Sequence, residues 1–139
     1  MDRADFQALA LTRVDDAAAL LTAQRGSAAF YLAGYVVECA LKACIAKNTT
    51  QYEFPASPEF VREYVWTHNL KKLLAGAGLE QKLKNDASLG SQLDTNWATA
   101  LVWSEGARYQ TITLEQAQGL YAAITDPDHG VLAWVQRSW

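Results

Sequence analysis

The sequence predicts an all-α fold, and three observations carry that prediction. Apolar residues recur at i, i+3, i+4 and i+7 through most of the chain, no stretch alternates with a period of two, and the punctuating residues fall where helix caps belong. The 139 residues are half hydrophobic, with five Trp, six Tyr and four Phe. That composition suits a single domain over residues 1–139 with one sizeable core.

The first element is an amphipathic helix over residues 5–24. Phe6, Leu9, Ala10, Val14, Ala17, Leu20 and Leu21 form its apolar stripe, and Asp15, Asp16 and Gln24 lie off it. Gly26 is expected to end this helix and Ser27 to cap the next, a connection short enough for an antiparallel helical hairpin.

Residues 28–46 read AAFYLAGYVVECALKACIA, with only Gly34, Glu38 and Lys42 outside the apolar and aromatic set. No 3.6-residue period separates wet from dry faces, so this is a helix enclosed by others. Its length would nearly cross a bilayer, but each central charge costs roughly 2.5–3.5 kcal/mol in a membrane and alanine offsets little of it. Glu38 precedes Lys42 by four residues, the better orientation for a helical ion pair. Glu38, Lys42 and Arg13 are therefore read as a structural polar core, with Glu38 buried against Lys42, Arg13 or Arg108. Such a network fixes helix register more than it adds stability. Cys39 and Cys44 lie about 140° apart around the helix, too far to bridge, and no histidine stands at a zinc-ligand spacing. They are expected to be reduced core thiols, with no metal and no cofactor.

Residues 48–55, NTTQYEFP, form the least regular stretch. Ser57 and Pro58 open a short helix to about residue 66. Thr67 is expected to cap the next, in which Leu70, Leu73 and Leu74 make a narrow stripe and Lys71 and Lys72 lie outside. A short helical piece follows over 79–86. Leu89, Leu93, Trp97, Ala100 and Leu101 share one face of a further helix, which breaks at 104–107. Thr113 and Gln116 form a capping box. After Asp126 and Pro127, the residues Val131, Leu132, Trp134 and Val135 bring the C-terminus back onto the domain.

Neither a basic leader nor an apolar signal segment is visible, and the expected compartment is the cytoplasm. The formal charge of −3 removes any global attraction to nucleic acid, so a nucleic-acid role needs a local basic patch or a partner. Three groups of residues then offer chemistry. Arg62 and His68, separated by the five residues EYVWT, suit metal-independent RNA cleavage: a guanidinium stabilises a charged phosphorane while an imidazole moves a proton. The structural alternative places His68 at the first position of the helix capped by Thr67. Trp103, Arg108 and Tyr109 cluster at an interhelical loop, where an arginine among aromatics can hold a phosphate or stack on a base. Lys71 and Lys72 are counted with them as nucleotide or RNA contacts. The alternative is that Arg108 closes a buried ion pair and both aromatics are core. Trp134 and Trp139, flanking Val135, suit either burial within the chain or a two-fold dimer interface. No glycine-rich phosphate loop, HExxH, CxxC or nucleophile elbow is present.

With these residues in view, the chain resembles the HEPN family, the higher eukaryotes and prokaryotes nucleotide-binding domain. The resemblance runs through LALTRVDDAAALL, SAAFYLAGYVVECALKACIAK, THNLKKLL, WSEGARY and HGVLAW, in the family's order. Tyr35, Glu38 and Lys42 match its characteristic GYxxExALKA-like helix. The resemblance implies a compact four- to five-helix up-and-down bundle, commonly a homodimer, acting in toxin–antitoxin or defence systems beside a minimal nucleotidyltransferase. Many members are ribonucleases with an R-x(4–6)-H motif at a dimer cleft. Here Glu63 follows Arg62, where active members usually carry Asn, Asp or His. The expected function is thus a nucleotide- or RNA-binding partner module, with a ribonuclease using Arg62 and His68 as the alternative.

Overall fold

A computed structural model describes residues 1–51 and 57–139. Among them the regular structure is wholly helical: α1 (Arg3–Thr22), α2 (Gly26–Gln51), α3 (Pro58–Tyr64), α4 (Leu70–Gly76), α5 (Glu80–Asp86), α6 (Gln92–Ala100), a 3₁₀ turn (Glu105–Tyr109), α7 (Leu114–Thr125) and α8 (Val131–Gln136). The described helices outnumber the expected four or five because α3, α4, α5 and α8 are pieces of six or seven residues.

α2 is the axis of the domain and packs against α1, α4, α7, α8 and the 3₁₀ turn. Residues Gly26–Thr49 are long and apolar enough to cross a membrane, but 72 % of the apolar window is buried against the chain's own helices, as in a core helix. One strip of α2 departs from the expectation of an enclosed cylinder. Tyr31, Tyr35 and Lys42 are half-buried and, with the buried Glu38, follow the i, i+4, i+7, i+11 rhythm of a single face. Tyrosines count as apolar in a pattern, yet their hydroxyls belong at a boundary, which conceals the strip.

The junction of α1 and α2 differs from expectation. α1 begins in a capping box between Asp2 and Asp5 and ends at Ala23. Gln24, not Gly26, takes the left-handed conformation, at φ +59°. The N–H of Arg25 reaches the carbonyl of Leu20 and that of Gln24 reaches Leu21, which is a Schellman closure. Gly26 serves close approach instead: a Cβ there would lie 3.0 Å from the backbone of Leu114. Ser27 is inside α2, and its hydroxyl accepts the Ile112 N–H at 2.9 Å.

Two further boundaries move. Asn48 to Gln51 continue α2, and Asn48 Nδ2 donates to the Ala77 carbonyl at 3.0 Å. The rest of the stretch expected to be irregular, 52–55, lies outside the described residues. Leu89 is 98 % exposed, because Ser91 caps α6 and leaves Leu89 ahead of the helix. The expected caps do form at Ser57 and at the Thr113–Gln116 box.

Candidate functional site

Two segments lie against the strip of α2, one from the α3–α4 link and one from the 3₁₀ region. The first brings His68. The N-cap of α4 is Asn69 rather than Thr67: Asn69 Oδ1 accepts the Lys72 N–H at 3.0 Å, while Thr67 Oγ1 accepts the Asn69 N–H at 3.1 Å. Asparagine accepts well in this position, and the helix therefore starts two residues later than expected. His68 falls outside it, and its ring turns back to α2.

There His68 Nδ1 lies 2.9 Å and 3.1 Å from the two carboxylate oxygens of Glu38. Lys42 Nζ donates to Glu38 Oε1 at 2.8 Å. Glu38 is 3 % exposed, so both partners are needed to offset its desolvation. On its other side, His68 Nε2 lies 3.3 Å from Glu105 Oε2. One imidazole thus stands between a buried carboxylate and a half-exposed one.

Aromatic rings continue the face. Tyr35 meets His68 edge-on at 5.9 Å and Trp103 at 5.3 Å, and Tyr31 meets Tyr35 at 5.0 Å with their hydroxyls 3.1 Å apart. Burial, then the Tyr31 hydrogen bond and the Glu38 charge, push the Tyr35 hydroxyl well up, so it stays neutral. Trp103 is buried, donates from Nε1 to the Tyr31 carbonyl at 3.1 Å, and lies flat on Gly34, where a Cβ would overlap the indole. Trp103 is therefore part of the core and positions the segment that follows it.

That segment presents Arg108 and Tyr109. Arg108 is exposed, its guanidinium 4.9 Å from the centre of the Tyr109 ring, and Tyr109 is 81 % exposed. The expected alternative of a buried ion pair for Arg108 does not form. The Tyr31 hydroxyl beside it, and then Tyr109, hold the guanidinium charged even more firmly than usual. A cavity of about 170 Å³ opens nearby between the two segments, lined by His68, Asn69, Leu70, Lys71, Leu101, Trp103 and Ser104.

The remaining candidates separate from this face. Arg62 is exposed on the last turn of α3 and has no ion pair or hydrogen bond among the described residues, so nothing joins it to His68. α3 ends between the two residues, which decouples the directions their side chains take. Lys72 is held by Glu63 at 3.0 Å, whereas Lys71 reaches the cavity. Arg13 pairs with Asp16 at 2.7 Å on α1, while the partners of Glu38 are Lys42 and His68. Cys39 and Cys44 are free and buried, and burial pushes both thiols up to about 11. Among the described residues no group of His, Cys, Asp or Glu is arranged to hold a metal ion.

The C-terminal aromatic surface offered for a dimer is largely used within the chain. Trp134 is buried and donates from Nε1 to Asp86 Oδ2 at 2.9 Å, and Val131 and Val135 are fully buried. Trp139 packs half-buried on the core, with its carbonyl 2.6 Å from the Arg3 guanidinium.

Sequence reasoning missed Tyr31 and Glu105. Tyr31 was detectable, since it precedes Tyr35, Glu38 and Lys42 at helical spacing. Glu105 reaches His68 only through the tertiary fold and leaves no local signal. Compared with family models, curated proteins and solved structures, the chain has no match.

Proposed function

We propose that this protein is a HEPN-like nucleotide- or RNA-binding module of a toxin–antitoxin or defence system, cytoplasmic and homodimeric, and the partner of a minimal nucleotidyltransferase. The observation that carries the binding reading is the Arg108–Tyr109 pair. A guanidinium over a highly exposed tyrosine supplies a cation for a phosphate and a ring for a base, beside a cavity rimmed by Lys71 and Ser104. That cavity falls below the roughly 300 Å³ of sites that enclose a drug-sized ligand, so it suits one ring or one phosphate rather than a whole nucleotide. The HEPN reading draws support from Tyr35, Glu38 and Lys42, the residues of the resembling motif, which share the face on which this ligand surface is built.

Binding is favoured over cleavage because of what surrounds His68. Both ring nitrogens face carboxylates, and among the described residues no hydrogen bond or ion pair joins Arg62 to the ring. Without Arg62 beside it, the imidazole lacks the guanidinium that would hold a phosphate against it for cleavage.

The test is equilibrium binding of AMP, GMP and a short single-stranded RNA, by calorimetry and fluorescence anisotropy, to the wild-type chain and to an Arg108→Ala/Tyr109→Ala variant of unchanged helicity. Loss of one stacked base removes about 1–3 kcal/mol, so affinity should fall at least fivefold. With Arg108 and Lys71 as the phosphate contacts, log K for RNA against log salt should have a slope of about −1.4. No binding at millimolar ligand, or equal binding by the double variant, would refute the reading. Metal-independent cleavage abolished by His68→Ala would establish the ribonuclease instead.

A further inference from the structure

His68 pairs with two carboxylates from different elements, by hydrogen bonds at Nδ1 and by an ion-pair contact at Nε2, and an imidazole attracts both only while it carries two ring protons. Nδ1 faces Glu38 on α2, and Nε2 faces Glu105, which opens the turn that ends in Arg108 and Tyr109. A neutral ring has one N–H and presents a lone pair from the other nitrogen. The retained proton belongs at Nδ1, because the Glu38 side chain is 4 % exposed and that of Glu105 48 %. A buried carboxylate that loses a donor pays the full desolvation penalty, whereas Glu105 can turn to water. Deprotonation therefore sets the Nε2 lone pair against the Glu105 carboxylate, and an attractive contact becomes repulsive.

The other groups around the ring do not compensate. Lys42 is committed to Glu38 Oε1 at 2.8 Å. Tyr35, packed edge-on to the ring, keeps its proton and carries no charge. Lys71 lines the adjoining cavity from α4 and makes no ion pair with Glu105.

We propose that His68 is a proton-operated latch, which when protonated ties the Glu105–Tyr109 turn to the core carboxylate of α2 and when neutral releases the turn that carries Arg108 and Tyr109. The consequence, that ligand capture weakens as His68 loses its proton, rests on the binding reading above. The latch itself can be read without any ligand.

The readout is amide hydrogen exchange at Ala107 and Gln110, whose N–H groups bond within the turn to the Ser104 and Ala107 carbonyls at 3.0 Å each. Exchange is measured on the full chain from about pH 5.5 to about pH 8.5, the range around imidazole titration, and corrected for intrinsic base catalysis. In parallel, imidazole nitrogen shifts are followed in a His129→Gln background, which leaves His68 as the only histidine. Protection of the turn should fall about two- to fivefold, the range for a partly exposed pair, with the midpoint of the His68 signal. Glu105→Gln should abolish this pH dependence.

Flat protection, an unmatched midpoint, or the same dependence in Glu105→Gln would overturn the latch. AMP and RNA affinities measured at both ends of the range separate the two claims. Responsive exchange with no binding at any pH would sink the ligand reading and leave the latch standing. Equal affinity at both ends, with flat exchange, would do the reverse.

Discussion

Glu38 and Asn96 are the buried polar side chains among the described residues, at 3 % and 5 % exposure, and they stabilise two regions by opposite means. Asn96 uses neutral partners: Nδ2 donates to the His129 carbonyl at 2.8 Å, and Oδ1 accepts from Gln92 at 3.0 Å. It pins α6 to the turn before α8, a turn that Asp126 already fixes by accepting the N–H groups of Asp128 and His129. Glu38 uses ionisable partners, and one of them, His68, has a side chain 41 % exposed. A buried amide with neutral bonds keeps one state at every pH, whereas a buried charge whose partner reaches solvent transmits what happens there. The α6–α8 end is therefore scaffold, and the α2 strip is where chemistry can be coupled to the fold.

The largest effect separating the two should come from Glu38→Ala. It strands Lys42, 13 % exposed, and leaves His68 without its buried acceptor. Breaking such a pair from one side costs about 3–5 kcal/mol, and this case belongs near the lower end because Lys42 can reach water along its stem. Urea unfolding at neutral pH should report the loss. A change within 1 kcal/mol would mean that Glu38 is solvated in solution and that the comparison is wrong.

The two cysteines divide between the same regions and give the next effect. Cys39 lies beside Glu38, whose charge adds to burial in raising its thiol, while Cys44 faces the Val135 carbonyl of α8. Both thiols are raised to about 11 in the folded chain. Their stabilisation is complete below the unfolded value of 9.0 and is lost as pH rises through the folded one. Each thiol should contribute roughly 2–3 kcal/mol of alkaline destabilisation. Thermal melts from pH 8 to about pH 11 should therefore fall less steeply in Cys39→Ala and Cys44→Ala than in the wild type. Glu38→Gln should lower the thiol-modification midpoint of Cys39 and leave that of Cys44 in place. Equal shifts at both cysteines would show that the Glu38 field is not local.

Legibility in the sequence followed the range of the interactions. The helical class, the Ser57 and Thr113 caps and the Glu38–Lys42 pair depend on neighbours within four residues, and they could be read directly. Gln24 could not, because a left-handed glutamine is uncommon and the neighbouring Gly26 supplied a more obvious, incorrect stop. His68 was conspicuous by its spacing from Arg62, but spacing across a helix end says nothing about facing. Its partners come from 30 residues upstream and from the 3₁₀ turn. Trp103 and Tyr109, read together from sequence, divide into a core ring and an exposed one because a single turn separates the face on Gly34 from the solvent side.

The smallest predicted effect tests the scaffold side. Asn96→Ala removes the donor to the His129 carbonyl and the acceptor for Gln92, leaving a cavity the size of one amide. Lost buried hydrogen bonds cost about 1–3 kcal/mol, but His129 and Gln92 are both exposed, which lets water replace part of what is removed. A destabilisation of about 1–2 kcal/mol follows from that partial replacement. Asn96, Gln92 and the His129 carbonyl are uncharged, so in a His129→Gln background, which removes the neighbouring imidazole, the loss should be the same at pH 6 and at pH 8, and exchange at Ala107 and Gln110 should keep its wild-type pH profile. A pH-dependent loss in Asn96→Ala would connect the scaffold to the titrating face through the helices between them. The division between a neutral end and a chemically responsive strip would then have to be redrawn around α2 as one coupled unit.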